Sequence, residues 1–162
     1  GPRVYIDPAA SVIGDVVIGA DSSVWPMCSV RGDVNFIRIG ARSNIQDGTV
    51  IHVTHEHESL GGGRAVVIGD DVTVGHQCTL HGCTIESRCL IGMGSTILDG
   101  AVLQEGVLLG AGSLVTEGKE LESGYLWLGR PAKRVRELTG EEKAWFEYSA
   151  LHYVKLKDDY LK

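Results

Sequence analysis

Aliphatic residues recur at every sixth position along most of the chain. Ile6, Val12, Ile18, Val24 and Val30 hold one phase, and Ile39, Ile45 and Ile51 a second. Ile68, Val74 and Leu80 hold a third, and Ile85, Ile91, Ile97, Leu103, Leu109, Val115 and Leu121 a fourth. A small or β-branched residue falls four positions after the aliphatic, at Ser22, Cys28, Ser43, Thr49, Val72, Cys78, Cys89, Ser95, Ala101, Val107 and Ser113. Glycine often follows the aliphatic directly, as at Ile18-Gly19, Ile68-Gly69 and Leu109-Gly110. An amphipathic helix would repeat near 3.6 residues, so this tract is not helical.

The hexads resemble the repeat of left-handed parallel β-helices over roughly residues 6–130. That resemblance implies one short strand and a corner per hexad, with three hexads closing a triangular coil. The aliphatic and the small residue both point inward. About eighteen hexads then make about six coils. The expectation is an all-β-dominated chain, with residues 1–132 forming the β-helix. Residues 133–162 form a C-terminal helix packed along the same single domain.

Pro131 ends the repeat, and "TGEEKAWFEYSALHYVKLKDDYLK" reads as that helix. Thr139 followed three later by Glu142 is a capping box. Ala144, Trp145, Tyr148, Leu151, Val154 and Leu161 fall near helical spacing and are the expected packing face. His152 is read as a surface or packing residue.

Counting hexads around the triangle assigns the histidines. With Val30 on face A, Ile39 lies on B, Ile45 on C, and Ile51 returns to A. Extra residues after Val30 widen a corner. The stretch "HVTHEHESLGGGRAV" breaks the repeat and reads as a hexad followed by a loop expelled over residues 57–67. Ile68 is then on B, Val74 on C and Leu80 on A. Arg31, His52 and His81 each follow an inward aliphatic by one, on face A of successive coils. Neighbouring parallel strands lie about 4.8 Å apart, so His52 and His81 are stacked neighbours. Such a pair can supply two ligands of one Zn²⁺. His76, two after Val74, lies on face C with Asp47 below it. It reaches the pair only from another subunit of a threefold trimer.

Composition narrows the function classes. The 162 residues are 43% hydrophobic and 22% charged, enough for one domain with a core. The 22 glycines are about twice the ordinary share and run the whole length, so they belong to the repeat rather than to a linker. A net charge of −6 with no basic run argues against nucleic acid. No apolar run approaches the roughly 20 residues of a membrane span, and no signal-peptide pattern is visible. Cys28, Cys78, Cys83 and Cys89 show no Cys-x-x-Cys pair. Three of them fall in the repeat's small slot or its equivalent, as core fillers. A reducing, cytoplasmic setting is expected.

"RGD" at 31–33, "GARSNIQDGTVIH" at 40–52 and "GHQCTLHG" at 75–82 resemble the γ-class carbonic anhydrases and their bacterial relatives. "ESGYLWLGRPAK" at 122–133 is similar to the exit segment of a bacterial subgroup. The resemblance implies a homotrimer with an ion at each interface, held by His52, His76 and His81. Zn²⁺ is implied first, with Fe²⁺ or Co²⁺ compatible. It implies reversible hydration of CO₂ to bicarbonate, the ion acidifying a water so that hydroxide forms near neutral pH. By position, Arg31 and Asp33 match an intersubunit ion pair near the metal, and Gln46 and Asp47 match residues that orient the water. Asp47 or backbone carbonyls are candidates to fix the imidazole tautomers. Asn44 and Ser43 are read as corner and core residues.

Two positions depart from the family pattern. Val34 stands where the best-studied members carry a Glu after the Asp, and the loop reads "HVTHEHE" where they carry a proton-shuttling Glu. His55, Glu56, His57 and Glu58 are the local candidates to carry the proton. Tyr125 is a candidate site-proximal residue. Two other functions compete: a hexapeptide-repeat acyltransferase or thioesterase on CoA thioesters, which needs one unliganded His as base, and a catalytically weak trimeric metal-binding scaffold.

Overall fold

The computed structural model describes residues 1–162, apart from the side chain of Leu60. The hexads form a left-handed parallel β-helix whose strands stack in three columns. On face A, Val12, Val30, Ile51, Leu80, Ile97 and Val115 are in register. Face B stacks Ile18, Ile39, Ile68, Ile85, Leu103 and Leu121. Face C stacks Ile6, Val24, Ile45, Val74, Ile91, Leu109 and Trp127. The face assignment read from the hexad count is thus the observed register. There are about 7 turns rather than six, because face C begins at Ile6 and is extended by the strand Tyr125–Gly129.

From Ile18 to Leu121 every inward aliphatic is buried, and so is each residue of the small slot. One buried aliphatic side chain is worth about 1.5–3 kcal/mol, so the core is a long column rather than one central cluster. The slot's hydroxyls are satisfied within the column: Ser22 donates to the Gly40 carbonyl at 2.7 Å and Ser43 to that of Gly69 at 2.8 Å. Among the described residues no buried side-chain polar atom lacks a partner. The four cysteines are free and buried, and burial pushes the Cys83 and Cys89 thiols up to about 12.

Two interruptions matter for the site. The strand Ser29–Ile39 runs from face A to face B, and its pairing with Ser11–Ile18 shifts between Gly14 and Val16. Residues 33–36 stand opposite Asp15 alone, three residues more than a regular corner. The expelled loop is shorter than expected. Thr54 and Arg64 bridge antiparallel at its neck, and Val66–Ile68 is already a face B strand. Residues 66 and 67 belong to the coil because Val66 fills the core.

The end of the chain differs in two respects from expectation. Residues 133–137 do not lead into the helix. They belong to the strand Ala132–Glu137, which pairs antiparallel with Tyr125–Gly129 and closes the top of face C. The helix spans Gly140–Tyr160 with the expected capping box: Thr139 accepts from the Glu142 amide at 3.2 Å, and Glu142 accepts from the Thr139 amide at 2.9 Å.

Its packing face is not the expected one. Phe146, Ser149, Ala150 and Lys157 are buried, whereas Trp145, Tyr148, Leu151 and Leu161 are exposed. Small residues let the helix lie close to face C, where Ser149 bonds Thr73 at 2.9 Å. Trp25 receives Tyr153 and Tyr160 at ring distances of 5.7 and 5.3 Å. Lys157 meets Asp21 at 3.1 Å.

Candidate metal centre

Register alone brings Arg31, His52 and His81 into one row on face A. His52 Nδ1 and His81 Nε2 approach to 3.2 Å. Each ring's other nitrogen is held by a carboxylate. His52 Nε2 meets Asp33 Oδ1 at 3.1 Å, and His81 Nδ1 meets Asp99 Oδ1 at 2.5 Å. Arg31 pairs with the second Asp33 oxygen inside the same chain and holds that carboxyl below the usual range. Burial pushes the Asp99 carboxyl up, but bonds from Thr54 and His81 outweigh it and leave it lowered.

His76 lies on face C, at the edge the helix leaves uncovered. Its Nδ1 meets Asp47 Oδ2 at 3.0 Å, one coil below as the count requires. Gln46, beside Asp47, is buried and donates to Asn44 Oδ1 at 3.1 Å. Asn44 donates in turn to Thr73 at 3.0 Å, which ties this edge to Ser149 of the helix. Arg31, Asp33, His52 and His81 are therefore grouped on one face, and Gln46, Asp47 and His76 on another.

The remaining candidates stand apart. Tyr125 is at the top of face C, three coils above Val74, with Arg134 over its ring at 4.6 Å. His55, Glu56 and His57 are exposed in the loop, and His57 Nδ1 accepts from the Ser59 amide to cap the turn Glu58–Leu60. Val34 is exposed at the widened corner.

Asp99 is the site residue the sequence reading missed. It lies two after Ile97, which stacks directly on Leu80. Carrying the hexad count one coil past His81 would have found it.

The donor set suits a cation. With neutral rings, the proton of each imidazole goes to its outer nitrogen, where a carboxylate accepts it. Two lone pairs then face each other at 3.2 Å on His52 and His81, a repulsive arrangement unless a cation or proton lies between. Two nitrogens on one tetrahedral zinc are about 3.3 Å apart, given Zn–N distances of 2.0–2.1 Å. Carboxylate-anchored imidazoles are a common metal-ligand arrangement. Among the described residues no group of three or more His, Cys, Asp or Glu in one chain is placed to hold an ion. The pair on face A offers two donors.

A family model described as the hexapeptide repeat of succinyl-transferase matches residues 65–98 and 82–117. A probable carbonic anhydrase of Methanocaldococcus jannaschii is 51% identical over 156 residues, 96% of this chain and 94% of that protein. The chain belongs to the γ-class carbonic anhydrase family. Protein YrdA of Escherichia coli is 55% identical over 161 residues, 99% of this chain and 88% of its own length. A solved hexapeptide transferase family protein from Anaplasma phagocytophilum is 44% identical with a TM-score of 0.83, covering 97% of this chain and 92% of that one. Among the described residues no helix is long and apolar enough to cross a membrane.

Proposed function

We propose that the protein is a metal-dependent γ-type carbonic anhydrase, a homotrimer with an ion at each interface, hydrating CO₂ reversibly to bicarbonate. The observation that carries this is the convergence of His52 and His81 on one face, each anchored outside by its own carboxylate. His52 and His81 of one protomer and His76 of its neighbour would hold the ion. Zn²⁺ suits them first, and Fe²⁺ or Co²⁺ also takes imidazole. When bound, the ion supplies the Lewis acidity that makes water a nucleophile near neutral pH.

The chain's own residues do the rest. Asp33, Asp47 and Asp99 keep the imidazole protons on the outer nitrogens. Arg31 keeps Asp33 ionised. Gln46, braced by Asn44, is a fixed polar group at the edge that carries Asp47 and His76. The released proton needs a titratable carrier, and His55, Glu56 and Glu58 are exposed groups that the loop offers, while His57 Nδ1 is committed to its cap. The free, buried cysteines support a reducing cytoplasmic setting.

An acetyltransferase name on a 42% identical solved structure from Bacillus cereus supports a second reading, acyl transfer on a CoA thioester. One experiment separates them. Metal content is measured on chelator-free protein, followed by CO₂ hydration and acyl-CoA turnover on the same sample. About one metal per chain with pH-dependent hydration supports the proposal. Metal without hydration, even after zinc, cobalt or ferrous reconstitution, favours a scaffold. Turnover of acyl-CoA by metal-free protein overturns the proposal.

A further inference from the structure

We propose that Asp99 is a positioning residue with two tasks, orienting His81 with one carboxylate oxygen and clamping the neck of the 55–63 loop with the other. Ligand geometry and loop order are thereby coupled. The first task rests on the metal reading above, whereas the second does not.

The contacts are specific. Asp99 Oδ1 accepts a hydrogen bond from His81 Nδ1 at 2.5 Å, and Oδ2 accepts one from the Thr54 hydroxyl. Thr54 is the first pair of the loop neck: its amide donates to the Arg64 carbonyl at 2.9 Å, and the Arg64 amide donates back at 3.0 Å. Asn35 Nδ2 also donates to the Thr54 carbonyl at 3.1 Å, which ties the neck to the widened corner that carries Asp33. The neck therefore touches the anchor of His81 directly, and through Asn35 it reaches the corner that carries the anchor of His52.

The fit leaves little slack. Gly82 follows His81 with φ +54, and a Cβ there would stand 2.7 Å from Arg64 Cβ and 3.0 Å from Asp99 Cγ. A Gly82 amide bond to the His52 carbonyl at 3.1 Å and a Gly100 amide bond to the Gly82 carbonyl at 2.7 Å hold the three coils in line. A shift of the neck thus moves the Asp99 carboxylate, and with it the imidazole it holds. Coupling of this kind is reciprocal: an ion that fixes His81 tightens the loop, and a looser loop weakens the ion.

The test uses the whole 162-residue chain with zinc alone as ligand. Zinc affinity is read by competition with a colorimetric chelator. Hydrogen exchange of residues 55–63 is read in metal-free and zinc-loaded samples. Asp99→Ala should weaken zinc about 10–100-fold, the usual cost of losing a ligand's hydrogen-bond partner, with Asp99→Asn recovering part of it. Thr54→Val, which removes only the clamp, should speed loop exchange about 10-fold without metal and also weaken zinc, by less than Asp99→Ala. Thr54→Ser should restore both.

Wild-type zinc affinity in Asp99→Ala overturns the orienting task. Unchanged loop exchange in both Asp99→Ala and Thr54→Val overturns the clamp. Faster exchange with unchanged zinc affinity in Thr54→Val overturns the coupling. If the wild-type protein binds no zinc, the functional reading fails and the orienting task falls with it. The metal-free exchange rates then decide the clamp alone.

Discussion

His52 Nδ1 lies 3.2 Å from His81 Nε2, although 29 residues separate them in the chain. His76, only five before His81, points off another face beside Asp47. A complete site drawing on all three therefore needs two chains. Mixing His76→Ala chains with His52→Ala chains should regain metal sites. In a trimer that holds both variants, one interface of the three, about a third, pairs an intact face A with an intact His76. Metal content of confirmed mixed trimers measures it. Values no higher than in either parent would sink the split assignment.

Two neighbouring glycines serve different needs, and substitution should separate them. A Cβ at Gly92 would stand 2.4 Å from the Ala111 amide nitrogen of the next coil, whereas a Cβ at Gly94 meets nothing within 4 Å. Gly94 has φ +69, but Asp21, Arg42, Asp71, Gln77 and Arg88 hold the same left-handed conformation at equivalent corners. Gly92→Ala is expected to cost about 1–3 kcal/mol by forcing coils apart. Gly94→Asn is expected to cost less than about 1 kcal/mol, since Asn tolerates left-handed backbone. Denaturant melts of both variants check the order.

Lys157 is fully buried between Asp21 at 3.1 Å and Asp158 at 2.6 Å. Removing one partner of a buried pair costs about 3–5 kcal/mol when the other is stranded. Asp21 here keeps Arg3 at 3.0 Å and is partly exposed, so Lys157→Ala should cost less, about 1–3 kcal/mol. Lys162→Ala, which breaks an exposed, solvent-screened pair with Asp159, should leave the melting temperature nearly unchanged. Equal melting temperatures for the two variants would contradict this.

Acid should reach the helix cap late. Arg136 beside Glu142, helped by the Thr139 amide, holds that carboxyl down to about 2. A lowered folded value means the contact's stabilisation is complete above the ordinary 4.5 and is lost as pH falls toward about 2. Side-chain NMR titration of Glu142 should show a midpoint well below 4.5 that rises in Arg136→Ala. An ordinary midpoint in the wild-type chain would refute the cap's charge coupling.

The hexad period determined more than fold class. An inward aliphatic that slips one place turns every neighbour to the other side, so burial enforces the register. That is why counting from Val30 to Ile51 to Leu80 placed Arg31, His52 and His81 in one row and His76 on another face. Tertiary structure decided what lies between coils and beyond them. Asp99 is joined to His81 by stacking, across 18 residues of chain, and its second bond to Thr54 depends on how an aperiodic loop closes.

The helix shows the same limit from the other side. It carries apolar residues on two faces, so its pattern could not choose between Trp145, Tyr148 and Leu151 and the face of Phe146, Ala150 and Tyr153. Face C made the choice. Its flat wall accepts Ser149 and Ala150, Trp25 receives Tyr153, and Asp21 receives Lys157. Periodicity reports what every coil repeats, and those partners occur once.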